Sequence, residues 1–397
     1  MSTVAEAARA FPALAPQAPD PVLSLMRAFR EDRRADKLDL GVGVYRDDEG
    51  ETPVFNAVKA SEHILWQSQK SKAYIGPEGD LKFLELLRPL IFGPRATEAN
   101  MFAAQTPGGV GALRLAAELL RAGYPDARLW MPSPTWPIHE PIFNAAGLSI
   151  QRIDCFERAT QTLAFARLAE ALQGAEPGDA VLLHASCHNP TGVDFSVAQW
   201  REIANLVSQR GLVPVLDMAY QGLGDGLEED AAGARIVLEA ANVALLAYSC
   251  DKNFGLYRER TGALFVCAQG DISIVRSNAL TITRGMWSMP PDHGAAIVRT
   301  ILEDRTLESN WRTELSEQQQ RLARLRCGLA AAHGNFSSLS HGKGMFALLP
   351  LSPSETDFLR EEHGIYMTRD ARVNIAGLTE RSIPKLAAAY DAVLRTL

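Results

Sequence analysis

The chain has 397 residues, room for two domains or for one large domain with a smaller one attached. Its composition, 47% hydrophobic and 22% charged, is that of a globular protein with a substantial core, and a net charge of −7 without any Lys/Arg cluster argues against a dedicated nucleic-acid binder. There is no run of 18 apolar residues, so no membrane-spanning helix is expected and a membrane partner is set aside.

Residues 1–19 have the Ala/Pro composition of an extended arm and lack the basic region and apolar core of a secretory signal. The five cysteines (Cys155, Cys187, Cys250, Cys267 and Cys327) are odd in number and scattered, which suits reduced thiols and a cytoplasmic location. "TPGGVGALRLAAELL" (106–120) reads as a glycine turn opening a helix, whose free N–H groups suit an anion. Short apolar runs at 127–133, 180–186, 212–217, 243–249 and 262–268 read as buried strands. Between them lie helical windows such as 196–211, which starts on Ser196 and ends on Gly211. That alternation predicts an α/β fold, a mostly parallel sheet with helices on both faces, over residues 46–310.

From about Leu307 the pattern changes to one long amphipathic helix, short strands near "GMFALL" and "RVNIAG", and a closing helix at "IPKLAAAYDAVLRTL". This predicts a smaller α+β domain over 311–397, joined by the segment 20–45, whose "LDLGVGVY" has no helical partner of its own.

Polar residues gather where the strands should end: Asn189 in "HASCHNPTG", Asp217 and Tyr220 in "DMAYQG", and Lys252 in "YSCDKNFG". Ligands bind at such carboxyl ends in open α/β sheets. An isolated Asp251–Lys252 pair is ordinarily a strand end at the surface, and a lone glycine turn is ordinarily only a helix start. Their convergence changes that balance. A partly desolvated lysine can form a Schiff base with a carbonyl, and a pyridoxal cofactor needs that lysine plus an acid for its ring nitrogen. A metal held by His184, Cys187 and His188 is disfavoured, because no second ligand cluster accompanies them.

Nine motifs in order, "LGVGVYRDDEG", "AYIGPEG", "QTPGGVGALR", "PTWPIHE", "CHNPTG", "DMAYQGLGDGLEED", "KNFGLYRERTG", "RGMWSMPPDHGA" and "ARVNIAGL", carry a resemblance from about Asp20 to the C-terminus. The chain resembles the class I, fold-type I aminotransferases dependent on pyridoxal 5'-phosphate, in the aspartate/aromatic amino-acid branch. The resemblance implies Lys252 as the Schiff-base lysine and proton carrier, and Asp217 as partner of the pyridine nitrogen, supported by His139. It implies Tyr220 and Asn189 on the ring hydroxyl, and Trp136 stacked on the ring. At the phosphate it implies Arg260, Ser249, Gly109 and the neighbouring positions Val110 and Asp251, with Tyr74 reaching in from a second subunit. For the substrate it implies Arg372 with Asn189 on the α-carboxylate, Gly43 and Trp136 at close approach, and Arg284 of the partner chain on a side-chain carboxylate. The implied reaction is ping-pong transamination between an amino acid and a 2-oxo acid, in a homodimer with shared sites.

The chain departs from this pattern at two kinds of position. Asp251 stands where the family usually has a serine before the lysine, and Val110 where a Ser or Thr follows the glycine pair. Ile138 and Met289 replace asparagines common in aspartate-specific members, which makes the pocket more apolar. Transamination of aromatic or acidic amino acids is therefore the leading reading. Replacement or decarboxylation chemistry on the same cofactor, and a cofactor-poor paralogue, are its alternatives.

Overall fold

Neighbouring residues on the central strands are buried on opposite faces. Leu182, Val215, Leu245 and Leu264 pack on one side with Leu113, Ala116 and Leu120, while Leu183, Leu216, Leu246 and Phe265 pack on the other with Leu87, Ile91 and Val237. Side chains alternate across a strand, so a sheet covered on both faces needs continuous apolar runs. The computed structural model describes residues 15–16, 19–93 and 100–396; the arm expected at 1–19 lies almost wholly outside the described residues.

After helix Pro21–Glu31 come the short strand β1 (Leu38–Asp39) and helices Asn56–Ser68 and Leu81–Phe92. The sheet is then built from β2 (Met101–Pro107), β3 (Arg128–Ser133) and β4 (Ser149–Asp154). A two-residue ladder, β5 (Phe156–Glu157) with β6 (Thr162–Leu163), precedes β7 (Ala180–His184), β8 (Val213–Met218), β9 (Val243–Ser249) and β10 (Thr261–Ala268). The order across the sheet is β2-β10-β9-β8-β7-β3-β4. Only β10 runs against its neighbours β2 and β9. Strands β2 and β4 were not among those expected.

Helix Val197–Arg210 shows how local chemistry sets an element. Ser196 and Gln199 form a reciprocal capping box, and Gly211 ends the helix in a left-handed conformation at φ 64°. The long helix starts at Arg305, two residues before the expected point, because Asp304 accepts from Thr306 N and Leu307 N at 2.8 and 3.0 Å.

The C-terminal strands are β11 (Phe346–Leu348), β12 (Ile365–Tyr366) and β13 (Arg372–Asn374). β11 pairs antiparallel with β13, and β12 pairs parallel with β1, so residues 38–39 join the C-terminal unit. Strands β7, β8 and β9 end at one edge of the sheet, and reversed β10 begins there. Ala185 N donates to Asp217 O at 2.8 Å, and Cys250 N to Thr261 O at 2.9 Å, fixing the loops that leave this edge.

Candidate active site

At that edge a cavity of 220 Å³ is lined by Gly109, Val110, Trp136, Asn189, Asp217, Tyr220, Ser249, Asp251, Lys252 and Arg260, together with Leu113, His184 and Ala219. Most residues expected around a pyridine ring and its phosphate thus share one concavity.

Asp217, the penultimate residue of β8, is buried, and its Oδ2 lies 2.9 Å from His139 Nε2. A carboxylate only accepts, so Nε2 carries the proton; Nδ1 then accepts from Thr135 Oγ1 at 2.8 Å. His139 thereby holds one carboxylate oxygen and leaves the other turned to the site. Trp136 meets the His139 ring edge-on at 5.3 Å.

Lys252 leaves β9 half-buried, and among the described residues it makes no salt bridge. Desolvation pulls its pKa below the ordinary lysine value, while Asp251 and Asp217 pull the other way. Its ammonium lies 5.4 Å from the centre of the Tyr220 ring. The loop carrying it is anchored from behind: Trp311 Nε1 donates to Asn253 O at 2.7 Å, Asn253 Nδ2 to Tyr248 Oη at 2.9 Å, and Tyr248 Oη to Gln221 Oε1 at 2.9 Å. Sequence reasoning missed this chain, since Asn253 and Gln221 carry no local signal.

Asn189 donates through Nδ2 to Tyr220 Oη at 3.2 Å, and its buried Oδ1 has no partner among the described residues. Burial, with Asp217 next, raises the Tyr220 phenol, so it stays protonated. Beside them Phe346 touches Tyr220 (ring centres 6.0 Å apart) and lies under the Arg372 guanidinium at 4.6 Å. Arg372 is buried, donates from Nη2 to Gly41 O at 2.8 Å, and leaves Nε unpartnered among the described residues. Gly43 faces the same ring, where an added Cβ would stand 2.9 Å from Phe346 Cζ.

On the other flank, helix Gly108–Gly123 opens behind Pro107 with no side-chain cap, so its first N–H groups are free for an anion. Arg260, at φ 54°, takes a left-handed conformation that a non-glycine residue keeps only when its surroundings hold it. Here Tyr257 O (2.8 Å) and the Asp251 carboxylate hold its Nη1.

Three singled-out residues lie elsewhere. Tyr74, 93% exposed, and Met289 line a separate concavity of 730 Å³, and Arg284 is exposed, bonded to Ser288. Ile138 is half-buried beside Trp136 on the sheet face that holds Leu113.

A sequence model of the family "Aminotransferase class I and II" matches residues 35–389. The chain is 51% identical over 389 residues to a tyrosine aminotransferase of Rhizobium meliloti, covering 96% of this chain and 100% of that one. It is 39% identical to an aspartate aminotransferase of Escherichia coli, covering 94% and 98%. A solved aromatic-amino-acid aminotransferase from Burkholderia pseudomallei, covalently bound to pyridoxal phosphate, superposes with a TM-score of 0.93 at 36% identity, covering 97% and 99%.

The chain belongs to the class I and II aminotransferases.

In this aminotransferase the histidines of "HASCHNPTG" do not converge on a metal-like centre with Cys187. Cys187 Sγ points to Tyr220 O, and His188 Nδ1 lies 2.8 Å from Thr191 Oγ1. His139, His184 and Asp217 do come within 4.8 Å of one another, but His139 and Asp217 are engaged with each other. Burial pushes the His188 pKa down to about 3 and that of His184 well below its usual value, so both rings are neutral. Asp194, missed in the sequence, accepts from Cys187 N and His188 N at 2.8 and 2.9 Å and shapes the loop carrying Asn189.

Proposed function

We propose that the protein catalyses transamination between an aromatic or acidic L-amino acid and a 2-oxo acid such as 2-oxoglutarate, using pyridoxal 5'-phosphate. The observation that carries this reading is Lys252, without a salt bridge among the described residues, in one cavity with Asp217, whose carboxylate is held by His139. The residues fit the cofactor: an unpartnered Asn189 Oδ1, an open Asp217 oxygen, an uncapped helix start and Arg260 answer to its ring and phosphate. When bound, the cofactor supplies an electron sink for the substrate's α-carbon.

In this reading Asp217 keeps a proton on the ring nitrogen, and Tyr220 with Asn189 orients the ring hydroxyl. Lys252 Nζ would be the amine that holds the cofactor, and it would carry the substrate's α-proton. Arg372 binds the α-carboxylate through its free edge, with Asn189 beside it. Val110 makes the phosphate end of the cavity more apolar, and Arg284 of the second subunit would supply a cation for an acidic side chain.

A homodimer with shared sites belongs to the same reading, because Tyr74, Met289 and Arg284 lie outside their own chain's cavity. Exposed Trp66, Tyr74, Ile75 and Leu81 give an apolar surface for the partner. Five free cysteines support a cytoplasmic enzyme; among the described residues no helix is long and apolar enough to cross a membrane.

Purified protein loaded with pyridoxal phosphate should absorb visible light, and borohydride should fix the cofactor to Lys252 in a peptide map. Phenylalanine, tyrosine and aspartate should each yield glutamate from 2-oxoglutarate. A label on another lysine would overturn the assignment, and turnover of dicarboxylic amino acids alone would overturn the dual specificity.

A further inference from the structure

We propose that Asp251 is a built-in rival of the cofactor's phosphate for Arg260, so that the phosphate contributes less to cofactor binding in this chain than the cradle around it would allow. This rests on the function proposed above. Asp251 is 3% exposed and immediately precedes Lys252. Its Oδ2 pairs with Arg260 Nη1, and its Oδ1 lies 3.4 Å from Thr261 N.

The arginine side chain is 40% exposed against 4% for the aspartate, and both line the cavity. The carboxylate also reaches the glycine turn: a Cβ added at Gly108 would stand 3.2 Å from Asp251 Oδ2 and 2.5 Å from Arg260 Nη2. Carboxylate, guanidinium and helix start therefore meet at one point.

The cations lining the cavity are Lys252 and Arg260, and the carboxylates are Asp217 and Asp251. Charge is balanced before any phosphate arrives, so a phosphate dianion must share Arg260 with a buried anion that cannot move into water. The remaining donors do not make up the difference. Ser249 Oγ accepts from Asp251 N at 3.2 Å and keeps one hydroxyl proton to give, whereas Val110 offers only methyl groups. Arg260 Nη2 and Nε make no hydrogen bond among the described residues, so the phosphate still has a partner, already half neutralised.

The test separates the phosphate from the rest of the cofactor. Apo protein, Asp251→Ser and the near-isosteric Asp251→Asn are titrated with pyridoxal phosphate and, in parallel, with pyridoxal, which has no phosphate. Binding is followed by visible absorbance and tryptophan fluorescence. Both variants should bind pyridoxal phosphate about tenfold more tightly or better, with pyridoxal unchanged within about twofold. Unchanged or weaker binding of pyridoxal phosphate would overturn the proposal and make Asp251 a positioning residue for Arg260. Equal tightening of both ligands would also overturn it, placing the effect on Lys252 instead. Absence of any borohydride label at Lys252 in all three proteins would overturn the functional reading, and this inference with it.

Discussion

Arg372 is a buried cation that forms no salt bridge among the described residues. Burial pulls its pKa down, with Tyr220 and then Asp370 opposing, and the Gly41 carbonyl and the Phe346 face are its observed partners. Such a charge is costly without an anion, which supports the α-carboxylate role proposed for it. Arg372→Lys keeps the charge but loses the planar fork. It should raise KM for the amino acid about a hundredfold while leaving the pyridoxal phosphate dissociation constant nearly unchanged. Steady-state kinetics beside a spectral titration would check this. Lys252, Asp217 and Tyr220 stood out in the sequence because each interrupts or ends an apolar run. Arg326 did not: it is one of several arginines on the long helix, yet it is buried and serves the carbonyls of Lys343, Gly344 and Phe346. A role played toward distant backbone leaves no local pattern.

Elements built from local chemistry were readable to within two residues. Helix Val197–Arg210 has both of its boundaries in its own side chains, and β7, β8 and β9 announce themselves as apolar runs. Strand β2, "MFAAQTP", mixes Gln and Thr into its buried stretch, and those two are satisfied by partners far along the chain or within the turn: Gln105 by Pro291 O and Thr106 by Gly108 O. Edge strand β4, "SIQRID", has only Ile153 fully buried and so resembles a loop. Elements also meet in pairs that sequence cannot show. The loop at Gly192 docks on the 343–346 segment, with Lys343 N donating to Gly192 O at 2.7 Å. Gly192 is at φ 70°, and a Cβ there would lie 2.4 Å from Phe346 O. Gly192→Ala should therefore cost about 2 kcal/mol of stability or more, since the clash is with backbone. By moving Phe346 away from Arg372, it should also raise KM for the amino acid. Thermal unfolding and KM, measured on the same preparation, test both parts.

For the whole molecule, the sheet places Lys252 and Arg260 together because β10 turns back against β9, whereas Tyr74 and Arg284 lie outside that cavity. If two chains complete each other, the defects Lys252→Ala and Arg284→Ala should complement. Each variant alone should be nearly inactive toward aspartate. A refolded equimolar mixture should recover about a quarter of wild-type activity, since half the dimers are mixed and each mixed dimer has one intact site. No gain on mixing would show that each chain works with its own Arg284.

The bond from Arg372 to the carbonyl of Gly41, and those from Asn374 Nδ2 to Val42 O and Val44 O at 2.7 and 2.6 Å, tie together the two most distant parts of the site along the chain. Ribosomes make protein in one direction. Every residue lining the cavity around Lys252 has left the exit tunnel well before residue 372 is added, while residues 41–44 must wait through more than three hundred additions for their partners. The residues that line the cavity around Lys252 are thus all in the growing chain before Arg372, which ties Gly41 to the C-terminal strands, has been added.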